Sequence, residues 1–190
     1  MIVTTERKQW SDAELMALPD DGHKYELVDG ELVMSPAGFE HGDISVALVT
    51  ALSSHARMHR LGAVLDSSTG FKMQNGNVLS PDVSFVAKAR LAGLKRLPRG
   101  FFRGAPDLAA EVLSPDDTVE KLQRKLQNYF ANGTRLAWVI NPEERSVLVH
   151  RGLSPEKVLG SRDKMDGDEV VPGFSMPVAG LFAPYPWADE

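Results

Sequence analysis

The segment that decides the fold spans residues 106–125 and reads Pro-Asp-Leu-Ala-Ala-Glu-Val-Leu-Ser-Pro-Asp-Asp-Thr-Val-Glu-Lys-Leu-Gln-Arg-Lys. Its apolar run, Leu108 to Leu113, has the length of a buried strand and contains one charged residue, Glu111. Burying a carboxylate costs free energy unless a positive charge meets it. We therefore expect Glu111 to face a metal ion or a lysine.

A helix is predicted to follow this strand directly. Ser114 suits the N-cap and Pro115 suits the first helical position. The next two residues are acids, which the positive end of a helix dipole favours. Gly133 is a typical stop signal, so the pattern predicts a helix that ends near Asn132.

Lys125 is the lysine of this helix that is best placed to serve Glu111. The apolar stripe of the predicted helix comprises Val119, Leu122, Leu126 and Tyr129. At about 100° per residue, Lys125 lies at the edge of that stripe, whereas Lys121 and Arg124 lie further round towards solvent. We therefore expect Lys125 to lie against the sheet, with its stem buried, and to reach towards Glu111.

A second carboxylate, Asp82, precedes another short apolar run, Val83 to Val86. Two carboxylates from neighbouring strands can hold Mg²⁺ through oxygen while water fills the remaining positions. Such a metal lowers the pKa of bound water and offsets charge on a phosphoryl oxygen. The lysine would then position or deprotonate the attacking water, or bind the phosphate.

Each of these residues also has a purely structural interpretation. Asp82 follows a proline and could simply cap a turn. Glu111 and Lys125 could form an ion pair with no role in chemistry. Spacing alone leaves both interpretations open.

The rest of the chain alternates strands and helices. Ser11 and Glu14 predict a capped short helix. Residues 25–28 and 31–34 predict a β-hairpin, because an Asp-Gly turn separates two apolar runs. A long helix is predicted from His41 to about Arg60, a short helix over residues 87–97, and strands at 136–140 and 146–151. This order fits the α/β class, with helices packed on a sheet.

Two polar residues in these elements need separate interpretation. Strand alternation predicts that Glu26, between Tyr25 and Leu27, faces solvent. His41 lies near the positive end of the predicted helix dipole, which favours neutral imidazole and suits a hydrogen-bonding partner.

Composition narrows the classes of protein that are possible. At 190 residues the chain fits one domain, with a core of about residues 25–151 and a C-terminal strand and tail at 152–190. It has no cysteine, so a metal site must use oxygen or imidazole ligands. No apolar stretch is long enough to span a bilayer and the first residues do not resemble a signal peptide, so we expect a cytoplasmic protein.

Charge does not favour a non-specific nucleic-acid binder, because the net charge is −5. One segment, residues 88–103, is nevertheless wholly basic in its charged residues: Lys88, Arg90, Lys95, Arg96, Arg99 and Arg103. It is interpreted as a solvated loop and helix, with contact to DNA or to a second subunit as the alternatives.

The series Pro81-Asp82 followed by Glu111-Val-Leu113 resembles the PD-(D/E)XK nuclease motif. The motif usually has a lysine where this chain has Leu113, and Lys125 resembles the migrated lysine of one branch, the Uma-type family of restriction endonuclease-like proteins. The resemblance covers residues 25 to about 151. Its other segments are 25–32, His41, 106–115, 125–133 and 138–142.

This resemblance implies a restriction endonuclease-like core, a mixed central β-sheet flanked by helices. It implies hydrolysis of DNA phosphodiester bonds that depends on Mg²⁺ or Mn²⁺. Asp82 and Glu111 would be metal ligands, with the backbone carbonyl of Val112 as a third. Lys125 would be the catalytic lysine, and Glu26 and His41 would be second-tier site residues.

Two other functions remain open from the sequence. The fold could serve as a nucleic-acid-binding or regulatory module without turnover, or as a structural domain whose Glu111–Lys125 pair fixes helix register. If the protein cuts palindromic DNA it needs two active sites, so we expect a homodimer.

Overall fold

The computed structural model describes residues 8–19, 24–34, 38–94 and 96–183. Its helices are α1 (Asp12–Met16), α2 (Phe39–Met58), α3 (Lys88–Leu91) and α4 (Val119–Ala131), followed by a 3-10 turn at Val178–Leu181. Its strands are β1 (Tyr25–Val28), β2 (Glu31–Met34), β3 (Gly62–Asp66), β4 (Phe71–Lys72), β5 (Val78–Leu79), β6 (Val83–Ala87), β7 (Phe102–Arg103), β8 (Leu108–Val112), β9 (Leu136–Asn141), β10 (Ser146–His150), β11 (Pro155–Leu159), β12 (Lys164–Asp166) and β13 (Ser175–Pro177). Lys95 of the basic segment and the end of the predicted C-terminal tail, residues 184–190, lie outside the described residues.

A six-stranded sheet forms the centre of the fold, in the order β11-β10-β9-β8-β6-β3. Strands β8 and β9 run parallel, and the other neighbouring pairs run antiparallel. Helix α4 connects the two parallel strands, as a crossover of this kind requires. The predicted α/β class with a mixed central sheet is confirmed.

The two faces of the central sheet are covered differently. On one face, Ile44, Leu48 and Leu52 of α2 pack against Leu108 and Trp138 of the sheet. On the other face, α4 contributes Tyr129 and Leu126 to the core. Among the described residues, no helix combines the length and the apolarity needed to cross a bilayer.

A second sheet, in the order β2-β1-β5-β4-β7, also packs on the α4 side. It contains the predicted hairpin, which is confirmed: β1 pairs antiparallel with β2, from Tyr25 opposite Met34 to Val28 opposite Glu31. Asp29 and Gly30 have φ values of 50° and 81°, the left-handed geometry that tight hairpin turns need. This hairpin carries Glu26 towards the centre of the molecule.

The predicted start of α4 is wrong. The N-cap is Thr118, whose hydroxyl accepts from the Lys121 N–H, and the first helical residue is Val119. Ser114 and Asp117 instead close a turn, because the Asp117 carboxylate accepts from the Ser114 N–H at 2.8 Å and the Asp117 N–H donates to the Ser114 carbonyl. The predicted end is confirmed, with Gly133 in the left-handed conformation just after Asn132.

Other boundaries differ by smaller amounts. Helix α2 begins at Phe39, two residues before the predicted start, with Gly38 as its N-cap. Helix α3 ends at Leu91 rather than near residue 97, because Gly93, at φ 85°, turns the chain away. The capping box of α1, formed by Ser11 and Glu14, is confirmed.

Candidate active site

Asp82 and Glu111 lie opposite each other at the ends of two central strands. β6 and β8 pair antiparallel with Val83 opposite Ala110, so the next step in this register brings Asp82 opposite Glu111. Opposed residues of an antiparallel pair point to the same face of a sheet. Both side chains are buried, with 6% of each residue exposed.

Three groups among the described residues contact the Asp82 carboxylate. Its Oδ1 lies 3.2 Å from Lys24 Nζ, while its Oδ2 lies 3.0 Å from His41 Nε2 and accepts from the Val112 N–H at 2.9 Å. Burial raises the pKa of Asp82, but the hydrogen bond with His41 and the charge of Lys24 outweigh it and hold that pKa well below its usual range. The carboxylate is therefore ionised at neutral pH.

Glu111 is held by two residues of α4. Lys125 Nζ donates to its Oε2 at 2.8 Å, and the Tyr129 hydroxyl donates to its Oε1 at 2.5 Å. Burial raises the pKa of Glu111, while the charge of Lys125 opposes that rise. The structure thus brings Lys125 to Glu111, as the helical stripe predicts.

Glu26 is not solvent-facing, so the expectation from strand alternation is wrong. It is 1% exposed and lies 3.3 Å from Lys125 Nζ through its Oε2. Its Oε1 accepts from the Ser80 N–H at 2.7 Å. Both faces of β1 are covered at this point, because Leu27 packs with Leu15 and the other face turns towards the site.

His41 lies at the start of α2, beside Asp82. The hydrogen bond with Asp82 raises the pKa of His41, although burial acts in the opposite direction. The helix dipole was expected to favour the neutral ring of His41, and this expectation is wrong. The adjacent Asp82 carboxylate favours the protonated ring and has a larger effect on the pKa than the helix dipole.

These side chains border two neighbouring clefts. The larger, of about 980 Å³, is lined by Lys24, His41, Asp82, Glu111, Val112 and Lys125, among others. The smaller, of about 400 Å³, is lined by Glu26, Glu111 and Lys125, among others. The Glu111–Lys125 pair is common to both, so it lies at the junction of the two spaces.

Residues 12–179 match the Uma2 family, whose description is "Putative restriction endonuclease". This chain belongs to the Uma2 family. The match covers the carboxylates, the lysines and the histidine of the site.

The fold resembles a crystal structure described as a putative nuclease belonging to DUF820 from Anabaena variabilis ATCC 29413. The TM-score is 0.77 at 22% sequence identity, and the alignment covers 91% of this chain and 97% of the other. No curated protein matches the chain. At this identity the structural likeness shows the fold, and the family match supports a nuclease-like function.

The donor atoms of this Uma2 site fit a hard divalent cation. A carboxylate oxygen can accept two hydrogen bonds. Asp82 Oδ1 and both oxygens of Glu111 accept one each from the described residues, so each retains acceptor capacity. Within the described ranges no cluster of three or more acids and histidines has metal-ligand geometry, but Mg²⁺ is commonly held by one or two carboxylates together with water.

Two site residues of this Uma2 chain are absent from the sequence-based prediction. Lys24 contacts Asp82 across 58 positions in sequence, and no local pattern indicates such a contact. Tyr129 is predicted only as part of the apolar stripe of α4. A buried tyrosine hydroxyl needs a hydrogen-bond partner. Because Tyr129 lies one helical turn after Lys125, the sequence could have indicated that its partner is Glu111.

The basic residues at 88–103 of this Uma2 chain lie away from the two clefts wherever the structure describes them. None of the described residues 88–94 and 96–103 lines either of the two clefts. Arg90 donates to the Ala105 carbonyl at 2.6 Å and lies 3.4 Å from Asp107, which gives it a structural role.

Proposed function

We propose that this chain is a metal-dependent endonuclease that hydrolyses phosphodiester bonds of DNA. The observation that carries the proposal is the facing pair Asp82 and Glu111, which is buried, bordered by an open cleft and linked to Lys125. The family description supports the same chemistry. A carboxylate pair of this kind is costly to bury and suits a site that receives a cation.

Asp82 and Glu111, with the backbone carbonyl of Val112, would hold Mg²⁺ or Mn²⁺. When bound, the ion lowers the pKa of water and offsets negative charge on the scissile phosphate. Of the described residues, five acids and three lysines line the larger cleft: Asp66, Asp82, Glu111, Asp116, Asp117, Lys24, Lys121 and Lys125. This balance repels a phosphodiester, so we expect a cation to be needed for substrate binding as well as for chemistry.

Lys125 acts as a positive charge and hydrogen-bond donor in this proposal, not as the general base. Burial lowers the pKa of Lys125, but the charges of Glu111 and Glu26 outweigh that effect and raise it above its usual value. The ammonium group therefore stays protonated at neutral pH and can orient water or stabilise the phosphate. Tyr129 and Glu26 hold Glu111 and Lys125 in position, and His41 does the same for Asp82.

Nicking of supercoiled plasmid tests the proposal. We expect wild type to nick in Mn²⁺ or Mg²⁺ and to lose that activity in EDTA. The variants Asp82→Asn and Glu111→Gln keep side-chain size but weaken the cation site, and Lys125→Met removes the donor. Each should lower the rate by about 100-fold or more, in line with the loss of a principal catalytic group.

Lys164→Met is the matched control, because Lys164 is an exposed lysine of β12 that lines neither cleft. It should nick at the wild-type rate. Activity that survives in Asp82→Asn and Glu111→Gln would place the chemistry elsewhere or identify a contaminating nuclease.

A nucleic-acid-binding or regulatory module without turnover is the second candidate. Leu113 occupies the position where the resembled motif has a lysine, which favours a site without turnover. This candidate predicts DNA binding with no metal-dependent nicking under any of these conditions. A gel-shift assay in EDTA and in Mn²⁺ separates it from the endonuclease.

Cleavage of both strands of a palindrome would need two copies of the site, so we also propose a homodimer. Sedimentation of the purified protein at micromolar concentration should then give about twice the monomer mass of 20.8 kDa. A monomer would limit the proposal to nicking or to successive cuts.

A further inference from the structure

Lys24 contacts the carboxylate of Asp82 but lies on neither of the strands β6 and β8 nor on helix α4. Its Nζ lies 3.2 Å from Asp82 Oδ1, and it directly precedes β1 in the chain. The side chain is 21% exposed and lines the larger cleft together with Asp82 and Glu111. Lys24 therefore occupies the side of Asp82 that faces the space where a cation and a substrate would enter.

The two oxygens of Asp82 are not equivalent. Oδ2 already has two partners within the protein, because it contacts His41 and accepts from the Val112 N–H. Oδ1 has Lys24 as its one partner among the described residues. A cation that enters from the cleft meets this ammonium group beside Oδ1, so the two positive charges compete for the carboxylate.

Lys24 and Lys125 differ in how firmly they are held. Lys125 bridges two buried carboxylates, Glu111 at 2.8 Å and Glu26 at 3.3 Å. Lys24 contacts one carboxylate, Asp82, at 3.2 Å, which is longer than the distance from Lys125 to Glu111. Separating Lys125 would leave two buried acids without their cation, whereas separating Lys24 leaves Asp82 with His41 and a backbone N–H.

We propose that Lys24 is a displaceable counter-ion that competes with a divalent cation for Asp82. This inference rests on the metal site of the proposed function. In the metal-free protein the ammonium group balances the charge of the Asp82 carboxylate and holds its Oδ1 at the cleft, so the carboxylate is ready for a cation. Lys24 gives up Oδ1 when the cation binds, which lowers the apparent metal affinity of the wild-type protein.

Titration of Mn²⁺ into the metal-free protein by calorimetry tests this inference without any activity measurement. Lys24→Met removes the competitor, so its affinity for Mn²⁺ should be about tenfold higher than that of wild type. Lys24→Gln removes the charge but retains a donor for Asp82, and it should show a gain in the same direction. Lys24→Arg keeps the charge and should restore the wild-type affinity.

Lys121→Met is the matched control. Lys121 lines the same cleft but donates to the backbone carbonyl of Asp116, at 3.5 Å, rather than to either carboxylate. Its loss changes the charge of the cleft by the same amount without freeing Asp82. Its Mn²⁺ affinity should change by less than about twofold, because a solvated charge at longer range is screened.

The outcomes separate this inference from the metal site itself. If wild type binds Mn²⁺ and Lys24→Met binds no more tightly than Lys121→Met, the metal site stands and the role of Lys24 is wrong. If neither wild type nor Lys24→Met binds Mn²⁺, the metal site fails and the inference fails with it. A gain in Lys24→Met and Lys24→Gln that is absent in Lys24→Arg and Lys121→Met supports the exchange.

Discussion

At the scale of single residues, the pKa values of Asp82 and Glu111 are shifted in opposite directions. Asp82 has Lys24, His41 and a backbone N–H around it, and its pKa is lowered. Glu111 is buried against Tyr129, with Asp82 and Glu26 nearby, and its pKa is raised despite Lys125. A cation that joined the two would relieve the repulsion between them, which is a physical reason for the site to bind one.

Tyr129→Phe isolates the hydroxyl that holds Glu111. The variant keeps the ring in the core and removes the 2.5 Å hydrogen bond to Oε1. A hydrogen bond to a charged group contributes about 1.5–3 kcal/mol, so we expect the free energy of unfolding to fall by about 2 kcal/mol. Urea denaturation of the metal-free protein measures this change.

Activity gives a second measurement on the same variant. Lys125 still holds Glu111 in Tyr129→Phe, so metal-dependent nicking should slow without being abolished. Activity as low as that of Glu111→Gln would mean that Tyr129 takes a direct part in the chemistry.

His41 makes stability depend on pH. Its pKa is raised in the folded protein by the hydrogen bond with Asp82. A group with a raised folded pKa contributes stability that is fully present below its unfolded pKa, about 6.5 for histidine, and that is lost as pH rises through the folded pKa. The difference in free energy of unfolding between wild type and His41→Gln should therefore be largest near pH 5.5 and decline above pH 6.5.

Denaturant titrations at pH 5.5, 7 and 9 measure this trend, with His55→Gln as the control. His55 lies on the same helix, and its Nε2 contacts the Pro172 carbonyl rather than a carboxylate. A difference for His41→Gln that stays constant with pH would mean that Asp82 does not favour the protonated ring.

At the scale of elements, helix α4 brings Lys125 back to Glu111 of the preceding strand β8, and the two residues are only 14 positions apart in sequence. This contact was predictable because helical periodicity assigns a face to each residue once the apolar stripe is known. The start of the helix was not predictable in the same way. Ser114 and Thr118 are both good N-caps, and the turn closed by Asp117 decides between them.

Thr118→Ala tests the observed N-cap. The Thr118 hydroxyl accepts from the Lys121 N–H, so its loss should lower the free energy of unfolding by about 1 kcal/mol. Ser114→Ala is the matched control and should cost less, because the Ser114 contacts in this turn are made by its backbone. Thermal or urea unfolding of both variants compares them, and a larger loss for Ser114→Ala would contradict the observed start.

At the scale of the whole molecule, the site joins segments that are distant in sequence. Glu26 lies in the second sheet, and Lys24 directly precedes the strand that carries it. Asp82 and Glu111 lie at the central sheet, and Lys125 lies on α4. Hydrophobic patterns predicted the strands, the hairpin and the α/β class. They could not predict that Glu26 is buried, since that depends on how the hairpin packs over α4 and not on alternation within β1.

The distribution of charge says more about the substrate of the cleft than the net charge of the chain does. The basic segment at residues 88–103 lies apart from both clefts among the described residues, and acids outnumber lysines in the larger one. A bound cation is therefore the element that would make this cleft receptive to a phosphodiester.

The most direct test is the rate at which Glu111→Gln nicks supercoiled plasmid in Mn²⁺, compared with wild type in the same preparation. An endonuclease built on Asp82 and Glu111 predicts clear nicking by wild type and a loss of about 100-fold or more in the variant. Equal rates in the two proteins, or nicking by wild type that persists in EDTA, would contradict it.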